Sequence, residues 1–310
     1  MIKIKTENYL LFILKTLIYG KFFFITKYYL KIYEKDINRR FKNAKLFRDI
    51  IIAKIFSIII DKINPVYFLD IGANLGEFGK IISTEIPSSN IIFIEPNPNL
   101  IGDLKQNVVN TNSTILEYAV SDLNSNQILS FELSHSGGGK ISKNTDNNIN
   151  TESVIVQTVT LDFLAGITPY FSRIKYVKID VEGHELNVFN GGLDFFTNNR
   201  PFIVFELSTN DFNGIKKILN DYSFYQINVP GLDYNANLIK RFCYLCKFLF
   251  NGTIYIDEYN SKSNYCSGVF AMPNEKLKST IKTLIDESGK KLTFFEFYEN
   301  SNHWLCWIYW

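Results

Sequence analysis

The chain has 310 residues, 46% hydrophobic and 21% charged, with a formal net charge of +2, a balance that excludes global disorder and leaves ample material for a core. No window of 18 uncharged apolar residues occurs, so no ordinary spanning helix is predicted. The cysteines Cys243, Cys246, Cys266 and Cys306 are too few for a disulfide scaffold, and the first residues lack a cleavable leader, so a reducing, cytoplasmic setting is expected.

Residues 1–64 hold 14 Lys and Arg against 5 Asp and Glu, whereas the remainder holds 19 against 26. This asymmetry predicts a basic extension ahead of an acidic body. The extension reads as two or more helices, broken near Gly20 and Asp36. A basic helix with aromatic residues suits an anionic membrane surface, which makes residues 1–35 a candidate for peripheral contact at the inner membrane face. A packing arm, as a lid or dimer contact, is the plainer reading, and both stay open. No nucleic-acid-reading motif accompanies the charge, so no nucleic acid partner is expected.

From Pro65 the pattern alternates between strands and helices. Strands are predicted at Val66–Asp70, Ile91–Glu95 and Thr114–Val120, with helices at Glu77–Ile86 and Leu100–Asn110 between them. This βαβαβ unit places the chain in the doubly wound parallel α/β class. Alternating runs at Ile128–Leu133 and Val154–Val159 flank Gly137, Gly138, Gly139 and a polar stretch to about Thr151, which together read as a hairpin with a loop at its tip. The α/β rhythm returns with a strand at Ile174–Asp180, a helix at Glu185–Phe196, a strand at Phe202–Leu207, a helix at Phe212–Leu219 and a strand at Phe224–Val229. Residues 231–263 read as an irregular aromatic insertion. A last strand at Ser267–Met272 and a helix at Lys276–Glu287 precede a tail ending in Trp304, Trp307 and Trp310. The expected domains are thus 1–64, 65–275 with the insertion, and 276–310.

The most informative run is Asp70-Ile-Gly72-Ala-Asn74-Leu-Gly76-Glu-Phe-Gly79, which follows a strand and opens a helix. A dinucleotide fingerprint needs G-x-G-x-x-G. Counted from Gly72, its second glycine falls on Asn74. The spacing Asp-x-Gly-x-x-x-Gly suits S-adenosylmethionine instead, an adenosine ligand with a zwitterionic amino-acid end and no pyrophosphate. Asp70 would hold the ammonium, while backbone near Gly72, Asn74 and Gly76 meets the carboxylate end. Glu95 closes the second strand, where an acid accepts from two ribose hydroxyls. Asp122, in Ala-Val-Ser-Asp after the third strand, is placed for the adenine amino group.

These runs (DIGANLGEFG, EPNP from Glu95, AVSD, and KIDVEGHE from Lys178 to Glu185) resemble the FkbM family of S-adenosylmethionine-dependent methyltransferases over roughly residues 65–230. The resemblance implies a class I methyltransferase fold: a Rossmann-like, mostly parallel, seven-stranded doubly wound sheet with one antiparallel strand near its C-terminal end, here carrying an N-terminal helical extension. It also implies O-methylation of sugars in surface glycans or of secondary metabolites. Two other readings stay open, a nicotinamide-dependent oxidoreductase on a related sheet and a non-catalytic interaction module. Asn74 argues against the first, and the intact Asp70, Glu95 and Asp180 argue against the second.

Asp180 and Glu206 end the fourth and fifth strands, at the edge where open parallel sheets bind ligands. A hydroxyl acceptor is a weak nucleophile, so a base within hydrogen-bond reach helps. His184 is the natural candidate, with Asp180 or Glu182 either orienting it or serving as the base. A hard divalent ion held by Asp180 and Glu206 is a further option, so the metal requirement stays open. Cys243-x-x-Cys246 lacks two further zinc ligands and reads as free thiols. Walker A, G-x-S-x-G, N-P-P-[FY] and C-x-x-x-C-x-x-C motifs are all absent.

Overall fold

Val-Tyr-Phe-Leu-Asp-Ile at Val66–Ile71 is apolar almost throughout, as a strand covered on both faces requires, and it forms β1. It belongs to a computed structural model that describes residues 2–5, 48–50, 52–60, 65–132, 135–142, 151–208, 211–228, 253–259 and 265–288. The chain divides into two compact units. The larger is Asp49–Gln226 with Glu258–Lys278, and the smaller is Met1–Arg48 with Ile227–Asp257 and Ser279–Trp310.

In the larger unit β1 is followed by α1 (Glu77–Glu85), β2 (Ser89–Ile94), α2 (Pro98–Asn107) and β3 (Ser113–Leu116). Helix α2 has a well-formed start: Asn97 caps it by accepting from the Asn99 N–H, and Pro98 occupies the first turn, where its missing N–H costs nothing. After β4 (Ala119–Val120), β5 (Ser125–Glu132), β6 (His135–Ser142) and β7 (Thr151–Val159) come α3 (Leu161–Ile167), a 3₁₀ turn at Pro169–Arg173, β8 (Ile174–Ile179), α4 (Glu185–Asn190) and α5 (Leu193–Asn199). Next in chain order come β9 (Phe202–Ser208), α6 (Phe212–Ile218), β10 (Tyr222–Asn228), β11 (Tyr265–Pro273) and α7 (Asn274–Ser288).

Seven strands of this unit line up as β10–β11–β9–β8–β1–β2–β3. The pairs β9–β8, β8–β1, β1–β2 and β2–β3 are parallel, and β11 runs antiparallel to both its neighbours. The expected mostly parallel, Rossmann-like sheet with one reversed strand is therefore what the chain forms. Its core packs Leu69, Ile94, Val177, Ile179 and Phe205 of the sheet against Phe189 and other helical residues. In the smaller unit Ile2–Lys5 pairs antiparallel with Thr253–Glu258, with Ile2 opposite Ile256.

Several elements differ from expectation. The third strand is two pieces in two sheets. Leu116 pairs with Ile94, the last residue of β2, so a continuing strand would run past the end of its partner. Ala119 and Val120 instead pair with Thr158 and Val159 of β7, in a four-stranded sheet ordered β4–β7–β5–β6. Gly137–Gly139 is part of strand β6 rather than a loop tip, and residues 143–150 lie outside the described residues. The single helix expected at Glu185–Phe196 is two, α4 and α5, parted at Gly191-Gly192, where the backbone passes so close to Ser121 that a Cβ on Gly191 would overlap its carbonyl oxygen. Ile2–Lys5 is a strand and residues 52–59 are helical. The other helices expected in the extension, and the tryptophan tail, lie outside the described residues. The stretch read as an irregular insertion contains the strand Thr253–Glu258.

Candidate functional site

Three adjacent parallel strands, β8, β1 and β2, each bring a buried acid to the carboxyl edge: Asp180, Asp70 and Glu95. Asp70 is directly opposite Lys178 in the β1–β8 register. The Lys178 ammonium lies 3.3 Å from Asp70 Oδ1 and 3.4 Å from Asp180 Oδ2, so one cation bridges the two carboxylates. Burial raises the Asp70 pKa against the pull of Lys178, and the charges on Asp180 and Asp49 push it the same way. Asp70 Oδ2 is buried with no hydrogen-bond partner among the described residues. An acidic oxygen left in that state is suited to a cationic donor.

The turn after β1 is shaped by positive φ angles at Gly72, Asn74 and Gly76. Gly72 is required because a Cβ there would overlap the Asp180 carbonyl oxygen. The glycine thus lets the turn approach the chain's own β8 end, and the Gly72 and Ala73 N–H groups donate to the Ile94 carbonyl. Asn74 tolerates its left-handed conformation as asparagine does. Its N–H donates to Glu95 Oε2 at 2.8 Å, and the Asn97 N–H donates to Glu95 Oε1 at 2.9 Å. Glu95 therefore ties together the glycine turn, the end of β2 and the start of α2, with one further lone pair on each oxygen. Burial raises its pKa in spite of those two bonds.

His184 stands at the start of α4. Its ring bonds neither Asp180 nor Glu182, the partners expected to orient it. Its Nε2 lies 2.9 Å from Ser121 Oγ, and Ser121 Oγ donates to Asp122 Oδ1 at 3.0 Å. The loop geometry explains the change of partner. Glu182 takes a left-handed φ of 54°, and the Val181 and Gly183 N–H groups donate to the buried Glu185 carboxylate. The loop thus closes on Glu185, and the imidazole meets the segment after β4. Burial lowers the His184 pKa, partly offset by Asp122. Burial raises Asp122, but hydrogen bonds from the Asn187 side chain, Ser121 and its own backbone, with the His184 charge, outweigh it, and the net shift is downward.

Glu206 sits where the β9–β11 register shifts, between Phe205 and Leu207. No group of three or more His, Cys, Asp or Glu placed for a metal is found among the described residues. Cys243, Cys246, His303 and Cys306 lie outside them. Sequence reasoning assigned no role to Lys178, Ser121, Glu185 or Asn187. Lys178 had a usable signal: a lysine inside the otherwise apolar Ile-Lys-Tyr-Val-Lys-Ile run of a central parallel strand needs a buried acidic partner.

The family model of the Methyltransferase FkbM domain matches residues 70–225, half of the chain. The hexuronic acid methyltransferase AglP of Haloferax volcanii is 33% identical over 125 residues, which cover 39% of this chain. The chain spans about half the length of that relative, 48%. Among solved structures, the methyltransferase FkbM from Methylobacillus flagellatus has a TM-score of 0.37 at 12% identity, covering 68% of this chain and 45% of that one. The plantazolicin methyltransferase BpumL in complex with SAH has a TM-score of 0.36 at 10% identity, covering 78% and 92%.

Proposed function

The chain belongs to the FkbM family of methyltransferases, and from that premise we propose that it transfers a methyl group from S-adenosylmethionine to a hydroxyl of a carbohydrate. The observation that carries the reading is the set of buried acids at the ends of three neighbouring parallel strands, with Asp70 Oδ2, which has no hydrogen-bond partner among the described residues, beside the glycine turn. Those residues fit the donor. Asp70 would take its ammonium, Glu95 its ribose hydroxyls through the remaining lone pairs, and Asp122 its adenine amino group, with the turn from Gly72 through Asn74 to Gly76 shaping the amino-acid end. When bound, the donor supplies an electrophilic methyl on a sulfonium.

His184 accepts the acceptor hydroxyl's proton as the new C–O bond forms. Its lowered pKa keeps the imidazole neutral, and so able to accept, at neutral pH. Asp180 and Glu182 belong to the same edge. Asp180 is held by Lys178 and adds negative charge where a cationic donor must sit.

The carbohydrate assignment draws on the hexuronic acid methyltransferase as a relative. A hexuronic acid offers hydroxyls and a carboxylate as methyl acceptors, and only a hydroxyl has a proton to lose. Thermal-shift titration with S-adenosylmethionine, S-adenosylhomocysteine and NAD is the first test. Stabilisation by the first two alone is expected, and stabilisation by NAD alone would overturn the reading. Labelled-methyl transfer to uronic acids and to their neutral sugar counterparts then separates the acceptors. Transfer confined to the uronic acids would move the site of methylation to the carboxylate and remove the need for a base.

A further inference from the structure

We infer that Ser121 and Asp122 fix the neutral His184 imidazole as the Nε2–H tautomer, so that Nδ1 is the nitrogen that accepts a proton. This rests on His184 being the base.

Ser121 Oγ has one proton to give and two lone pairs. It faces two groups, Asp122 Oδ1 at 3.0 Å and His184 Nε2 at 2.9 Å. An ionised carboxylate only accepts, so the Asp122 contact consumes the hydroxyl proton. Nε2 must then carry a hydrogen and donate to Oγ. In the opposite tautomer, the hydroxyl would turn to Nε2 and leave two oxygens 3.0 Å apart with no hydrogen between them.

The arrangement is held from every side. Ser121 is fully buried, and its N–H donates to the Val159 carbonyl. Gly191 leaves no room between α4 and the Ser121 carbonyl. Asn187, one helical turn after His184 and on the same face of α4, helps to hold the Asp122 pKa down and so keeps its carboxylate an acceptor. The imidazole cannot rotate without breaking its bond to Ser121. Among the described residues, the charged group acting on the ring is Asp122. Ser121 is a positioning residue: it acts on the acceptor only through His184.

The tautomer can be read without turnover. The chain has three histidines, His135, His184 and His303, so His184 is assigned in long-range proton–nitrogen correlation spectra by its loss in H184A. Above its pKa, wild type is expected to show a protonated Nε2 and a bare Nδ1. S121A is expected to show averaged nitrogen shifts and a turnover number lowered by about tenfold or less, within what general-base help spans, with the KM for S-adenosylmethionine little changed. D122N, whose amide can donate to Ser121 as well as accept from it, should loosen the preference for the Nε2–H tautomer. A wild-type spectrum with Nδ1 protonated overturns the inference. If H184A keeps full turnover, the base assignment fails, while the tautomer remains decided by the spectrum.

Discussion

At the scale of single residues, the site sets the buried carboxylates of Asp70 and Asp180 against the Lys178 ammonium. On the proposed assignment, truncating Asp70 or Glu95 to alanine removes at least one charge-assisted hydrogen bond to the donor, about 1.5–3 kcal/mol each, so affinity for S-adenosylmethionine should fall roughly 10-fold or more by calorimetry. Unchanged affinity in both variants would end the assignment. Lys178→Met leaves Asp70 and Asp180 without the ammonium between them. Breaking a buried pair in this way costs about 3–5 kcal/mol. The sign with pH follows from the carboxyls. The Asp70 pKa is already raised by burial, and without the ammonium it rises further above its unfolded value, so protonation favours the fold. Urea denaturation should therefore show the variant's deficit shrinking as pH falls and growing as pH rises through those values. His184 titrates in the other sense. Its folded pKa is lowered below 6.5, so turnover should be flat across neutrality and fall only on the acid side of that value. A limb at or above 6.5 would contradict a neutral, buried base.

At the scale of elements, glycines separate what the chain needs from what it tolerates. Gly191→Ala forces a Cβ into the Ser121 carbonyl, and overpacking of this kind costs about 1–3 kcal/mol. Gly102, inside α2 with nothing within 4 Å of an added Cβ, is the control: its replacement by alanine should stabilise by about 0.5–1 kcal/mol. Chemical denaturation of both variants checks the contrast, and equal effects would refute it. The same positions explain how far the sequence could be read. The strands β1, β2, β8 and β9 were legible because parallel strands covered on both faces must be apolar runs, and each ends at a marker acid or turn. The Asp70–Gly76 turn was legible because its positive φ angles select glycine and asparagine. The need for glycine at Gly191 was not, since the group that imposes it, the Ser121 carbonyl, lies some seventy residues away in the chain. The partner of His184 was hidden for a similar reason: a hydrogen bond across 63 residues leaves no local trace. The split of the third strand depends on where β2 stops, which propensity does not reveal.

At the scale of the whole molecule, the acidic edge lies in the larger unit, and the basic residues concentrate in 1–64. No described helix is long and apolar enough to cross a membrane. If residues 1–35 engage an anionic bilayer, the full chain should co-sediment with acidic liposomes at low salt and be released as salt shortens the screening length to a few ångströms. Indifference to liposomes at low salt would leave the segment as a packing arm. The second sheet has its own consequence. Ser125 and Thr158 face each other across β5 and β7, and the Thr158 hydroxyl donates to the Leu123 carbonyl and accepts from the Ser125 N–H. The segment therefore leaves the parallel sheet's side of the larger unit and returns to it at neighbouring residues, like a handle on a vessel. A handle attached this way can lengthen, shorten or change its outward surface without altering the register of the parallel strands.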